Sequence, residues 1–157
     1  MAMTLSTIGV IHSPFTEPAG MPIQPRFAAG REGLVEVFEQ FAEGLADLDG
    51  FDRIWLVYWF HKAPAARLTV RPFRDTVERG LFATRAPCRP NPIGMSVVRL
   101  LGVDGRLLRV ADIDVLDGTP LLDIKPYAPE FDHYPAERIG WLASPQGRTT
   151  SDGRFCE

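Results

Sequence analysis

Arg85 and Arg89 share a loop that also holds Pro87, Pro90 and Pro92. Each arginine offers a planar fork of N–H donors suited to a carboxylate or a phosphate. Each proline fixes φ, removes an amide donor and pushes the residue before it (Ala86, Arg89, Asn91) towards extended backbone. The loop can be neither a helix nor a central strand, and it gives up less entropy than a flexible one on ordering around a ligand. A second stiffened loop, Met21-Pro22-Ile23-Gln24-Pro25, presents Gln24. Its amide has two donors and an acceptor, as an adenine edge or ribose hydroxyls would require. His61 and Lys62 follow directly on an apolar run, where a rigid scaffold would present them. Taken singly, all of these also suit solvated turns and strand ends, so the elements around them must decide.

Thr7 to Ser13 reads as a first strand, ended by Pro14, and Leu34 to Val37 as a second. Phe38, Phe41, Ala42, Leu45 and Leu48 fall at three- and four-residue steps, which predicts an amphipathic helix of about three turns stopped by Asp49-Gly50. Arg53 to Phe60 is apolar after its first residue and reads as a strand buried on both faces. Leu68 to Val70 is a short strand, and Met95 to Val103 a longer one. Asp104-Gly105 signals a two-residue hairpin into Leu107 to Val110. Asp112 to Leu116 alternates acid and apolar and reads as a strand with one wet face. Asp117-Gly118-Thr119-Pro120 is a tight turn, from which Leu121 to Tyr127 returns. After Ala128, which precedes Pro129, Pro135 and Pro145, only Arg138 to Ala143 suggests order, and mobility is expected from Gly147 on. At least six short strands, one helix and no βαβ alternation predict a mainly β protein: a small β-barrel with one or two short helices.

The 157 residues suit a single domain, and 45% hydrophobic with 24% charged content is ordinary for a globular chain. Ile54 to Phe60, the longest apolar run, is far too short to span a bilayer. No secretory signal is visible in Met1 to Phe15. Two cysteines, Cys88 and Cys156, show no disulfide-scaffold or zinc spacing, no metal site is expected, and a reducing cytoplasm is the natural assignment. The net charge of −3 hides an asymmetry. Residues 67 to 99 hold seven arginines against Asp75 and Glu78, whereas residues 104 to 132 are predominantly acidic. The basic segment suits a polyanion such as RNA, unless the two segments face and neutralise each other. No Gly-x-Gly-x-x-Gly follows a strand, and no P-loop, His-Glu-x-x-His or Ser-centred elbow is present.

Four stretches together carry a family resemblance: Ile8-Gly9-Val10-Ile11-His12-Ser13-Pro14; Phe82-Ala83-Thr84-Arg85 with Arg89-Pro90-Asn91-Pro92-Ile93-Gly94-Met95-Ser96; Asp117-Gly118-Thr119-Pro120; and Asp123-Ile124-Lys125-Pro126-Tyr127. This resembles the TsaA-like, or TrmO, family over roughly Thr7 to Asp132. The resemblance implies a barrel domain over residues 1–132 that binds S-adenosyl-L-methionine, with residues 133–157 as a partly ordered tail. It implies methyl transfer to N6 of threonylcarbamoyladenosine beside the tRNA anticodon, and a homodimer with cofactor near its interface. The implied cofactor pocket uses Pro22, Gln24, Pro25, His61, Lys62, Arg85 and Arg89, closed by Asp117, Gly118, Thr119 and Pro120. Arg85 or Arg89 would grip the methionine carboxylate, and Asp117, Asp123 or Tyr127 would accept the proton of the methylated nitrogen, tuned by Lys125. Asp123 and Lys125 suit a structural ion pair equally well. The chain departs from the family in having Pro22-Ile23-Gln24 where some members have Pro-Arg-Gln, and in ending soon after the barrel, where many continue into a further domain. A cofactor-binding module without tRNA activity, or a methyltransferase for a small molecule, is the alternative.

Overall fold

The computed structural model describes residues 1–144 and 148–152. Eight strands form in chain order: β1 Gly9–His12, β2 Glu32–Val37, β3 Arg53–Trp59, β4 Thr69–Val70, β5 Arg79–Gly80, β6 Ile93–Asp104, β7 Leu107–Ala111 and β8 Thr119–Pro126. Six of them close into an antiparallel barrel in the order β1-β2-β7-β6-β3-β8, while β4 and β5 form a separate two-stranded sheet. Closure leaves no unpaired barrel edge. Ile11, Val35, Ile54, Leu56, Val98, Leu108, Val110 and Leu121 fill the interior, each wholly buried.

The expected hairpin joins β6 to β7, but Asp104 still pairs with Leu107, so the two turn residues are Gly105 and Arg106. In β8 the register with β3 shifts: Val57 faces Asp123 and Tyr58 faces Leu121, leaving Leu122 as an extra residue.

Three expectations are corrected. The helix over Phe38 to Leu48 is instead two 3-10 turns, Glu39–Leu45 and Leu48–Gly50. Asp47 between them takes φ 69°, which ends any continuous helix while still letting both Leu45 and Leu48 reach the core. β3 is not buried on both faces: Ile54, Leu56 and Tyr58 point inward and Trp55, Val57 and Trp59 outward. Its alternation was invisible in the sequence because the outer face is apolar too. Finally, Asp112 to Leu116 is no strand. Asp112 adopts φ 66° and is fixed by the Gly30 amide and by Arg53, so Ile113 and Val115 enter the core from an irregular segment.

A short helix, α1 Pro129–Asp132, follows the barrel. Trp141, in a 3-10 turn over Gly140–Ala143, donates its indole N–H to the Ala83 carbonyl at 2.8 Å. Within the stretch expected to be mobile, Thr149 and Ser151 hydrogen-bond the backbone of residues 20–23. Pro145, Gly147 and Cys156 lie outside the described residues.

Candidate functional site

At one end of β3 the strand's alternation delivers Tyr58 inward and then Phe60, His61 and Lys62 beyond it. Gly94 of the neighbouring β6 makes this possible. A Cβ there would come within 2.8 Å of Phe60 Cζ and closer still to the Tyr58 ring, so only glycine lets the two aromatic rings lie across the strand. They meet edge to face, with centroids 5.5 Å apart. A cavity of ≈ 50 Å³ opens beside them, lined by Met21, Tyr58, Phe60, His61, Lys62, Asp114, Val115, Leu116 and Thr119.

Its walls are largely apolar, and its charge comes from Asp114 and Lys62. Ser96, inward on β6, donates its hydroxyl to Asp114 Oδ1 at 2.6 Å and lies 2.9 Å from the Tyr58 hydroxyl. Burial pushes the Asp114 carboxyl up to about 7, against the lowering effects of Ser96 and of the positive charge on Arg85. Burial likewise raises the Tyr58 hydroxyl well above its ordinary value, with the Asp114 charge adding to it. His61 is shifted down by burial and then by Lys62, which favours its neutral form. The chain thus keeps a carboxyl able to change charge near neutrality under two aromatic rings.

The residues anticipated from the sequence do not all come together. His61, Lys62 and Thr119 line the cavity. Thr119 is buried, its hydroxyl donating to the Leu116 carbonyl at 2.6 Å. Gln24 and Arg85 meet each other: Arg85 Nη1 donates to Gln24 Oε1 at 2.6 Å, joining the two proline-stiffened loops. Pro22, next to the cavity-lining Met21, forms a bridge with Thr150, and Pro25 opens a 3-10 turn for which Gln24 is the N-cap position. Arg89 turns inward on its own loop. Its Nη1 donates to the carbonyls of Thr84 at 3.0 Å and Ala86 at 3.2 Å, and its guanidinium sits 5.7 Å from the Phe82 ring centroid. Beneath that loop Cys88 is wholly buried with Val70 and Leu81 and carries no free thiol, which the cysteine spacing did not foretell.

Asp117 stands at the turn before β8, where its Oδ1 accepts the Ser13 amide at 3.0 Å and lies 3.9 Å from His12 Nδ1. Among the described residues no hydrogen bond or ion pair joins it to Arg85 or Arg89. Gly118 takes φ 78°, the conformation that requires glycine in this turn, and Pro120 pairs within β8 to Val10. Asp123 and Tyr127 are outside the cavity. Asp123 pairs with Lys125 at 2.9 Å on the outer barrel wall, and Tyr127 lies against Trp55, centroids 6.2 Å apart.

Sequence reasoning missed Asp114, Ser96 and Tyr58. Asp114 was one of several regularly spaced acids, Ser96 a small residue in a strand and Tyr58 part of an apolar run; only the register that points Tyr58 and Ser96 inward unites them. Arg79 pairs with Asp75 inside the basic segment, Asp123 with Lys125 inside the acidic one, and Asp112 of the acidic segment with Arg53, which lies outside both.

Comparison with known proteins matches residues 10–133 to the model of the tRNA-methyltransferase O N-terminal domain. This chain belongs to that family. A probable S-adenosyl-L-methionine-binding protein of Pyrococcus abyssi is 54% identical to it over 94% of this chain and 82% of its own. A tRNA (adenine(37)-N6)-methyltransferase of Escherichia coli is 40% identical, over 87% of this chain and 63% of its own. A crystal structure of TrmO from Pseudomonas aeruginosa superposes with TM-score 0.76 at 40% identity, covering 90% of this chain and 63% of that one. The closed, mainly β barrel is thus the family's fold, and the chain spans less than two thirds of the TrmO structures it matches. Among the described residues no helix is long and apolar enough to cross a membrane.

Proposed function

We propose that this chain is an S-adenosyl-L-methionine-dependent methyltransferase acting on N6 of an adenosine beside the tRNA anticodon, with threonylcarbamoyladenosine as the modified base. Family membership supports the reaction class. The single structural observation behind it is a carboxyl group beneath aromatic rings, in a cavity that the loop carrying Gln24 and the end of β3 share.

The residues fit parts of such a donor. Asp114 with the faces of Tyr58 and Phe60 suits a cationic or amine-bearing group, and Lys62 and Arg85 suit its carboxylate. When bound, the donor supplies an electrophilic methyl group on a sulfonium, so neither a metal nor a covalent enzyme intermediate is needed. The protein's share is then to align the reactants and to take a proton. Asp117, flanked by the cavity-lining Leu116 and Thr119, is the proton acceptor we assign: it takes the hydrogen of the exocyclic nitrogen as that nitrogen gains the methyl and the thioether leaves. Arg71 and Arg99, both exposed on the basic segment, would track the phosphates of a splayed anticodon loop.

A volume of ≈ 50 Å³ is small beside the roughly 300–1,000 Å³ of ordinary ligand pockets, so most of the donor lies outside what one chain encloses. A homodimer supplies the missing wall. Trp59, Ile93 and Met95 leave an apolar face exposed on the outside of β3 and β6, with Asp123 on β8 opposite Val57 and Tyr127 just past the end of β8, where they would serve the partner's site.

The test is transfer of labelled methyl from the donor to tRNA taken from cells lacking the modifying enzyme, with tRNA lacking threonylcarbamoyl as comparison. Label confined to the first supports the full reading; equal label in both removes the specific base. Donor binding by calorimetry with no label in RNA favours a second reading, a binding module. The naming of the Pyrococcus abyssi relative, of which the match covers 82%, as a probable binding protein is what speaks for that reading.

A further inference from the structure

Residues 140–144 and 148–152 fall outside the stretch that matches the family domain, yet Trp141 and residues 149–151 touch both loops of the candidate site. On one side the Trp141 indole N–H donates to the Ala83 carbonyl at 2.8 Å, at the start of the loop that carries Arg85 and Arg89. On the other side the chain runs antiparallel to Gly20–Ile23. The Gly20 amide donates to the Ser151 carbonyl at 2.9 Å, the Ser151 amide to the Met21 carbonyl at 2.8 Å, and the Ile23 amide to the Thr149 carbonyl at 3.1 Å. Pro22, which has no amide hydrogen to offer, sits opposite Thr150 in the middle of this ladder. Met21 is a cavity wall, and Gln24 just beyond it receives Arg85 across the gap. Each loop is therefore fastened both to the other loop and to these C-terminal residues.

We propose that this C-terminal segment is a tie that sets the spacing of the two loops and so the affinity for the methyl donor, with Trp141 and Ser151 as positioning residues. The effect on affinity rests on the function proposed above; the tie itself does not. Loop 13–31 is rich in proline and glycine, and its one helical element is the short Pro25–Phe27 turn. Three backbone hydrogen bonds to residues 149–151 order its middle before any ligand arrives, which removes an entropic cost from binding. The Trp141 bond does the same for the opposite loop, and the Arg85–Gln24 bond couples the two.

Two variants of the full chain separate this from a purely structural role. Trp141→Phe keeps an aromatic ring and deletes the donor; Ser151→Pro deletes one ladder amide. Hydrogen exchange is followed at residues 20–24 and 81–89, with donor affinity by calorimetry and thermal unfolding of the barrel. Each variant is expected to speed exchange in both loops, including the one it does not touch, and to weaken donor binding about 2- to 12-fold, the equivalent of one hydrogen bond, at an unchanged melting temperature. Exchange confined to the touched loop overturns the tie, and so does unchanged exchange in both. Faster exchange with unaltered affinity overturns the positioning role. A wild-type protein that binds no donor removes the function proposed above, and the tie is then decided by exchange alone.

Discussion

Asp114 is a carboxyl whose charge depends on where the chain puts it. In the folded protein burial holds its pKa at about 7, whereas in the unfolded chain it returns to the ordinary carboxyl range near 4. Between those values the native state carries a proton that the unfolded state has released. Stability from this group is therefore fully present below about pH 4, falls as pH rises towards 7, and levels off above. Asp114→Asn should abolish that slope: between pH 5 and pH 8 the wild type loses a few degrees of melting temperature relative to the variant. Donor binding should run the other way, strengthening as pH rises through 7 and the carboxylate forms, while the variant stays flat and binds about 10-fold or more weakly at pH 8. Calorimetric titration at the two pH values checks this. Gly94 poses a steric question instead. Gly94→Ala drives a methyl into the Tyr58 and Phe60 rings and should cost about 1–3 kcal/mol in denaturant unfolding, with donor affinity falling as the rings shift into the cavity.

The loop from Leu81 to Pro92 uses its two arginines differently. Arg89 spends its Nη1 on carbonyls of its own loop, whereas Arg85 is exposed and reaches out to Gln24. Arg89→Ala should therefore lower the melting temperature and donor affinity together, and Arg85→Ala should lower affinity alone. Parallel melting and calorimetry of the two variants tell them apart; equal melting temperatures would remove the structural role from Arg89. This division shows how far elements were legible in the sequence. Proline placement fixed the character of the loop, the Asp-Gly signal placed the β6–β7 hairpin to within a residue, and of the residues named for the pocket His61, Lys62 and Thr119 line the cavity. Which way an arginine points was not legible, because both positions share the same local sequence character. Nor was the 3-10 geometry of residues 39–50, where one left-handed Asp47 breaks a pattern that spacing alone reads as helix. The C-terminal contacts were invisible for another reason. Thr149 and Ser151 act through their backbone, which carries no mark in residue type.

At the scale of the molecule the barrel has two unlike surfaces at one end, an inner cavity with a titrating carboxyl and an outer face bearing Trp59, Ile93 and Met95. If that face is where two copies meet, Met95→Glu should convert dimer to monomer in sedimentation equilibrium, leave the melting curve of the barrel nearly unchanged, and weaken donor binding. A wild type that sediments as a monomer at working concentration removes the proposed second wall.

The unpartnered Leu122 matters more than one extra residue suggests. On an unbroken strand, positions 119, 121 and 123 would share one side. The bulge reverses that parity, so Thr119 and Leu121 look into the barrel while Asp123 looks away from it. A transfer needing both Thr119 and Asp123 would therefore have to draw them from opposite faces of the sheet.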